Sequence, residues 1–149
     1  MIANTMSDRD EVANILNRFM NCFDLKDWDL MSEQLDEMIH IDYADLRGEG
    51  PKKVTSEEYV RMRSQALQDL LTHHQLTNMD ITASVSSASV TASCMIHRRS
   101  GDKVFNSHAH YRFRLSKPNG AWKISEIVQR ILWNEGDSKI HTGAHRARD

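Results

Sequence analysis

Residues 23–43, FDLKDWDLMSEQLDEMIHIDY, connect an amphipathic helix to the first predicted strand and organise the rest of the chain. This stretch places an acid, Asp24, at the end of the helix and a phenol, Tyr43, on the strand that follows a short second helix. Both side chains can therefore face one cavity. Histidines follow in residues 72–78, THHQLTN, and in residues 95–98, MIHR. We expect these segments to close one pocket.

Three helices are predicted in the first half of the chain. Apolar residues recur at helical spacing through residues 8–26, which predicts a helix with one buried face. A second, short helix follows over residues 27–35. Thr55 with Glu58 forms a capping box, which starts a third helix that runs to about residue 71.

The second half of the chain is rich in strands. An alternating pattern over residues 38–44 predicts a half-exposed strand, and residues 73–133 hold four strand-like segments separated by turn residues. Four consecutive strands with short turns are typical of an antiparallel meander, and helices grouped before them indicate an α+β domain. We expect one domain over residues 1–149, with a flexible tail from about residue 135.

The strand predicted over residues 104–116 has two contrasting faces. One face is apolar and should look toward the helices; it carries Phe105, Ala109, Tyr111, Phe113 and Leu115. The other face includes His108 and His110, whose spacing would allow two ligands on one metal ion. No carboxylate or cysteine is placed to complete such a site. We therefore predict no metal and interpret the two histidines as surface or subunit-contact residues.

The composition argues against several functions. The chain has 149 residues, 40% of them hydrophobic and 27% charged, with a net charge of -2, which is typical of one soluble globular domain. Its basic residues are not clustered, so we expect no nucleic-acid partner. No run is long enough for a membrane span, and the first residues do not resemble an export signal. Cys22 and Cys94 lack CxxC spacing, which indicates buried, reduced thiols in a cytoplasmic protein.

Several motifs together carry a family resemblance. They are FDLKDWD at 23–29, IDY at 41–43, THH at 72–74, IHR at 96–98, HAH at 108–110 and GAWK at 120–123. This set resembles the SnoaL-like branch of the NTF2-like proteins, and it is closest in motif to the scytalone dehydratases. The resemblance covers residues 8–135 and implies a cone-shaped fold. In that fold a curved antiparallel sheet wraps around a pocket that three N-terminal helices close.

The resemblance also implies roles for four residues. His97 would be the general base or acid, and Asp24 would accept its other ring proton. His74 would hand a proton to a departing hydroxyl, and Tyr43 would hydrogen-bond the substrate carbonyl. Together these roles describe a lyase that needs no cofactor and acts on a hydrophobic cyclic or aromatic carbonyl compound.

The chain departs from the dehydratase pattern at several positions. The family has a tyrosine where this chain has Phe23, which removes half of the carbonyl clamp. Tyr111 and Phe113 replace a small hydroxyl residue and an amide, so the cavity should be smaller, more apolar or differently shaped. Tyr111 could restore the missing phenol from the opposite wall. Asn78 and Arg130 are further candidates for the pocket lining. Dehydration of scytalone itself is not expected.

Other functions are compatible with the same fold. The chain could be an isomerase or cyclase, a small-molecule binder without turnover, or an assembly module that uses the polar face around His108 and His110. A homo-oligomer, dimer or trimer, is expected. Its contact surface would be an outer sheet face that carries Trp122 or Trp133.

Overall fold

The computed structural model describes residues 6–141, which form four α-helices and six strands. In chain order these elements are α1 (Asp8–Leu25), α2 (Trp28–Gln34), β1 (Leu35–Asp42), α3 (Ala44–Arg47), β2 (Lys52–Thr55), α4 (Ser56–Ala66), β3 (Leu71–Ala83), β4 (Ser87–Ser100), β5 (Lys103–Ser116) and β6 (Lys123–Gly136). The predicted α+β class is confirmed. The short helix α3 and the short strand β2 were not predicted.

Side-chain caps fix where the long helices begin. Ser7 accepts a hydrogen bond from the backbone N–H of Asp10 at the start of α1. At the other end of α1, Lys26 takes a left-handed conformation, and its N–H bonds the carbonyl of Cys22. The predicted capping box of Thr55 and Glu58 is present at the start of α4. The left-handed turn at Lys26 ends α1 two residues after Asp24, which leaves this carboxylate in the last turn of the helix.

The six strands form one curved, unclosed sheet in the order β2-β1-β6-β5-β4-β3. Strands β3 to β6 form the predicted antiparallel meander. The contact between β1 and β6 is parallel, so the sheet is not antiparallel throughout. This pairing arises because α4 carries the chain from one edge to the other, and the meander then returns until β6 lies beside β1.

The concave face of the sheet packs on the apolar stripe of α1. The predicted inward residues of β5 are all buried: Phe105, Ala109, Tyr111, Phe113 and Leu115. Phe19 of α1 meets Phe113 edge-on, with ring centroids 6.5 Å apart. His110, Arg112 and Arg114 are exposed on the opposite face, as the alternation predicted. The periodicity of apolar side chains in α1 and β5 therefore determines which faces of the helix and the sheet form the core.

The chain stays regular beyond the point where a tail was expected. Strand β6 continues to Gly136, a 3-10 helix covers Ser138–Ile140, and His141 is buried beside Phe105. Gly136 is required, because its φ is +96° and a Cβ atom there would collide with the carbonyl of Val104. The prediction is therefore wrong for residues 135–141. The rest of the predicted tail, residues 142–149, lies outside the described residues.

Other surface and membrane predictions can also be compared with the structure. Trp122 is buried and its ring N–H donates to Asp8, so it cannot serve as a surface contact as predicted, whereas Trp133 is half exposed. Cys22 and Cys94 are buried and unpaired, as predicted. Within residues 6–141, no helix has the length and apolar character needed to cross a membrane.

Candidate active site

A small cavity, the inner cavity, lies between the concave face of the sheet and the helices. Four predicted site residues line it: Phe23, Tyr43, His74 and Tyr111. Residues without a predicted role complete its polar lining: Arg47, Arg63, Arg98, Gln129 and His141. Its volume is about 30 Å³, far below the roughly 300–1,000 Å³ of a typical small-molecule site.

A larger cleft, the outer cleft, adjoins the inner cavity. It has a volume of about 290 Å³ and shares Tyr43, Arg47 and Arg63 with the inner cavity. Its other lining residues include Ile41, Glu49, Lys52, Met62 and Ala66. The shared side chains therefore separate a space large enough for a ring from one that fits only a functional group.

Asp24 and His74 form a short polar contact between helix α1 and strand β3. The Nδ1 atom of His74 lies 2.7 Å from Oδ1 of Asp24, and the backbone N–H of His74 donates to Oδ2 at 2.9 Å. The hydroxyl of Thr72 donates to Oδ1 at 3.0 Å. Three donors thus hold the carboxylate at the end of α1 against β3, and the carboxylate fixes the imidazole.

This contact determines which ring nitrogen of His74 is free to react. An ionised carboxylate only accepts hydrogen bonds, so Nδ1 carries the proton and Nε2 of the neutral ring keeps its lone pair. Burial lowers the pKa of His74 below its usual range, and Asp24 offsets part of that shift. Phe23 stacks on the imidazole with ring centroids 4.7 Å apart. The ring is therefore neutral at neutral pH and held in one orientation, as a general base requires.

The predicted pairing of Asp24 with His97 is wrong. In the register of β3 and β4, His74 lies opposite Ile96, and His97 lies opposite His73. Because side chains alternate across a strand, His97 points to the outer face of the sheet, where its ring lies 6.4 Å from that of His73. His97 therefore lines neither the inner cavity nor the outer cleft.

Tyr43 lines both spaces, although it lies just after β1 at the start of α3 and not on the strand as predicted. Its hydroxyl is 2.6 Å from the hydroxyl of Tyr59, a residue of α4 with no predicted role. Burial raises the pKa of both phenols, so both stay protonated at neutral pH. The pair can therefore donate a hydrogen bond to an oxygen atom in the cavity.

On the opposite wall, Tyr111 and Gln129 form a second polar pair. The amide of Gln129 donates to the Tyr111 hydroxyl at 2.8 Å, while Oε1 of Gln129 has no hydrogen-bond partner within residues 6–141. Phe113 stacks on Tyr111 with centroids 5.3 Å apart, but it belongs to the core and does not line the cavity. Tyr111 thus supplies the second phenol that was expected from this wall.

Two predicted lining residues lie elsewhere. Asn78 is exposed at a bulge of β3, where its φ is +53°. Arg130 is exposed and pairs with Asp42 at 3.1 Å. Arg130 faces outward because β6 contains one extra residue. Arg114 pairs with Glu126, but the next residue, Leu115, pairs with Ile124, so the inward and outward positions of β6 shift by one there. Gln129 consequently takes the inward position that the sequence pattern gave to Arg130.

Three arginines at the cavity had no predicted role: Arg63 and Arg98 are buried, and Arg47 is half-buried. Arg63 stands over the rings of Tyr43 and Tyr59, with 5.1 and 5.2 Å to the centroids, and Arg47 stands 5.9 Å from the centroid of Tyr43. Arg98 donates to the hydroxyl of Ser107 at 2.8 Å. The signals were present, since Arg63 follows buried Tyr59 by four residues and Arg98 shares the strand face of Ile96. Of the three alternatives expected for the cavity, smaller, more apolar or differently shaped, these arginines contradict the more apolar one.

The comparisons with known proteins agree with this fold. Residues 4–128 match the family model of the SnoaL-like domain. The chain belongs to this family. Its structure is NTF2-like, as predicted. No curated protein matches the chain.

Solved structures similar to this SnoaL-like protein have low sequence identity. The protein Kfla4162 from Kribbella flavida is 20% identical, with a TM-score of 0.84 over 89% of this chain and 95% of that one. A protein from Novosphingobium aromaticivorans, provisionally named a scytalone dehydratase, is 14% identical with a TM-score of 0.77 over 95% of both chains. A hexachlorocyclohexane dehydrochlorinase, LinA type 2, is 15% identical with a TM-score of 0.75 over 94% of this chain and 93% of that one.

The next feature is the set of side chains that could bind a metal ion. No group of three or more His, Cys, Asp or Glu side chains converges in the described part of the SnoaL-like chain. His108 instead stacks on Trp133, with ring centroids 4.1 Å apart, and approaches Glu135. The polar chemistry of the inner cavity comes from two histidines, His74 and His141, the two phenols of Tyr43 and Tyr111, Gln129 and the three arginines.

Proposed function

We propose that this protein is a cofactor-independent lyase or isomerase in which His74, oriented by Asp24, moves a proton at a carbon atom of a cyclic carbonyl compound. The 2.7 Å contact between these two residues carries the proposal, because it leaves Nε2 of a neutral imidazole as a base. Membership of the SnoaL-like family supports it. Two structural neighbours whose names denote eliminations, a dehydratase and a dehydrochlorinase, agree with it.

The reaction begins with proton transfer to His74. Its Nε2 takes the proton from the carbon next to the carbonyl, and the electron pair of that C–H bond moves into an enolate. The phenols of Tyr43 and Tyr111 are donors for the enolate oxygen. In a lyase, the enolate electrons then form a C=C bond, a hydroxyl group leaves, and the imidazolium gives its proton to it as water. In an isomerase, the proton returns to another carbon.

The two spaces divide the substrate between them. The outer cleft, at about 290 Å³, takes the ring, and the edge of the ring that carries the reacting group faces the inner cavity. Binding requires the side chains of Arg47 and Arg63 to move, since they stand between the spaces. Both are long and make cation–π contacts rather than ion pairs, so this motion breaks no salt bridge of the described residues.

The direct test is proton exchange at carbon in deuterated water, followed by proton NMR over a panel of cyclic ketones and hydroxy-ketones. Water loss is read in parallel by mass spectrometry. We expect His74→Asn to lower the exchange rate by about 10²–10⁴-fold, because a positioned base contributes that much. The matched control is His97→Asn, which changes a histidine on the outer face and should exchange like the parent protein.

The variants separate the alternatives. Exchange by His74→Asn as fast as by the parent protein would exclude His74 as the base. A parent protein that binds panel compounds but exchanges none of their protons would be a binder without turnover.

The second half of β6 supports homo-oligomer formation as a second role. Leu132 and Trp133 are adjacent and are 60% and 51% exposed, so two large apolar side chains lie together at the surface. We propose that a second copy of the chain covers them. Size-exclusion chromatography with light scattering should then show an oligomer for the parent protein and a shift toward monomer for Trp133→Ser.

A further inference from the structure

Three guanidinium groups from three separate elements meet at the inner cavity. Arg47 ends α3, Arg63 lies on α4 and Arg98 lies on β4. Arg63 and Arg98 are only 5% and 4% exposed. Buried charged side chains are normally paired with an opposite charge, because leaving water is costly for an ion.

The described residues provide no such charge. Within residues 6–141, none of these three arginines forms an ion pair with a carboxylate; the arginines that do so are Arg112, Arg114 and Arg130. The acid in the outer cleft, Glu49, is 2.9 Å from Lys52 and pairs with it. The carboxylate of Asp24 is already occupied by three donors. The inner cavity therefore has an excess of positive charge.

The cavity also has unused hydrogen-bonding capacity. The Nε atoms of Arg47 and Arg63 are buried and have no hydrogen-bond partner among the described residues. The aromatic faces of Tyr43 and Tyr59 contact the guanidinium of Arg63 without neutralising it. Buried donors without partners are rare in native proteins, and a bound group commonly explains them.

The arginines remain charged in these surroundings. Burial, together with the charge of Arg63, lowers the pKa of Arg47 and of Arg98 to about 10. That value still leaves both protonated at neutral pH, so the groups repel one another across the cavity. An anion placed between them would remove this repulsion and would accept the unused N–H donors.

We propose that the inner cavity binds an anionic group and that the substrate is a small cyclic compound carrying a carboxylate or a phosphate. This inference names the substrate class of the site and so rests on the proposed function. It adds an anionic group to the hydrophobic cyclic or aromatic carbonyl compound that the sequence led us to expect.

The test compares three unreactive probes of similar shape: benzoate, phenyl phosphate and benzamide. Isothermal titration calorimetry should show at least one anion binding at least about tenfold more tightly than neutral benzamide. Whichever anion binds better identifies the group as carboxylate or phosphate. Equal affinity for all three probes, or no binding of either anion, would overturn the inference.

Variants assign the preference to the buried charges. Arg63→Met keeps the length and packing of the side chain but removes its charge, and it should abolish the preference for anions. Arg47→Met is a second variant, at the rim of the cavity, and it should weaken the preference for anions. The control is Arg61→Met, because Arg61 lies on the same helix but is exposed. A preference that survives both Arg63→Met and Arg47→Met would contradict the inference.

The anion inference and the proposed function can fail separately. His74→Asn should lose proton exchange but keep the preference for anions. Preference for anions without proton exchange in the parent protein would reject the enzyme proposal and retain the anion site. Proton exchange by the parent without any preference for anions would reject the anion site and retain the enzyme proposal.

Discussion

The two faces of strands β3 and β4 carry the same residue type in contrasting surroundings. On the inner face, His74 lies opposite Ile96 and contacts Asp24 and Phe23. On the outer face, His73 and His97 lie opposite each other. The two faces differ by one residue along each strand. The comparison shows that a histidine becomes a candidate base through its neighbours, because only the inner ring has a carboxylate that fixes its proton.

The largest expected effect is on the rate of proton exchange, when the carboxylate of Asp24 on the inner face is neutralised. Asp24→Asn should lower proton exchange at carbon by about 10²–10⁴-fold, because His74 loses its fixed tautomer and orientation. In NMR titrations the pKa of His74 should fall further, since Asp24 raises it. The ring resonances of His97, on the outer face, should be the same as in the parent protein. A change at His97 instead of His74 would restore the pairing expected from the sequence.

A smaller effect is expected on the free energy of unfolding, when buried and exposed side chains on the two faces are removed. Ile96→Ala removes a buried side chain from the inner face and should lower the free energy of unfolding by about 2–4 kcal/mol. His97→Ala, at the next position, should change it by no more than about 0.5 kcal/mol. Urea denaturation of both variants measures the difference. Equal losses would show that the outer face is covered, as by a second copy of the chain.

The smallest effect concerns the dependence of stability on pH. Burial, and then the charges of Arg98, Arg47 and Arg63, lower the pKa of His141 to about 3. Below about pH 6.5 the His141 ring binds a proton in the unfolded chain but not in the folded chain. The free energy of unfolding therefore decreases as the pH decreases, by up to about 1.4 kcal/mol per pH unit. His141→Gln should reduce that slope between pH 6.5 and pH 5. Urea denaturation at several pH values should show the two slopes; identical slopes would mean that His141 is protonated in the folded protein.

Much of the fold could be predicted because it follows from local patterns. The apolar stripe of α1, the capping box at Thr55 and the alternation of β5 are each visible within a few residues, and all are confirmed. The errors arose where a pattern was extended past an irregularity. One extra residue in β6 shifted Arg130 outward and Gln129 inward. The close approach of Gly136 to β5 extended the ordered chain beyond residue 135.

The residues of the candidate site were predicted less completely than the fold. Asp24, His74, Tyr43, Phe23 and Tyr111 come together as expected. The choice between two histidines could not be made, because it depends on strand register and on which helix end meets which strand. The three arginines were overlooked, since a charged residue on a buried face is ordinarily a sign of an incorrect face assignment.

By itself, the sequence determined the three longer helices, the meander, the α+β class and the family resemblance, because periodicity and capping act between residues that are close in the chain. Only the tertiary structure decided that Asp24 binds His74, that His97 faces outward and that three guanidinium groups share one cavity. These contacts join residues up to about fifty positions apart, such as Asp24 and His74. Such contacts depend on the register and curvature of a sheet that forms only when the whole chain is folded.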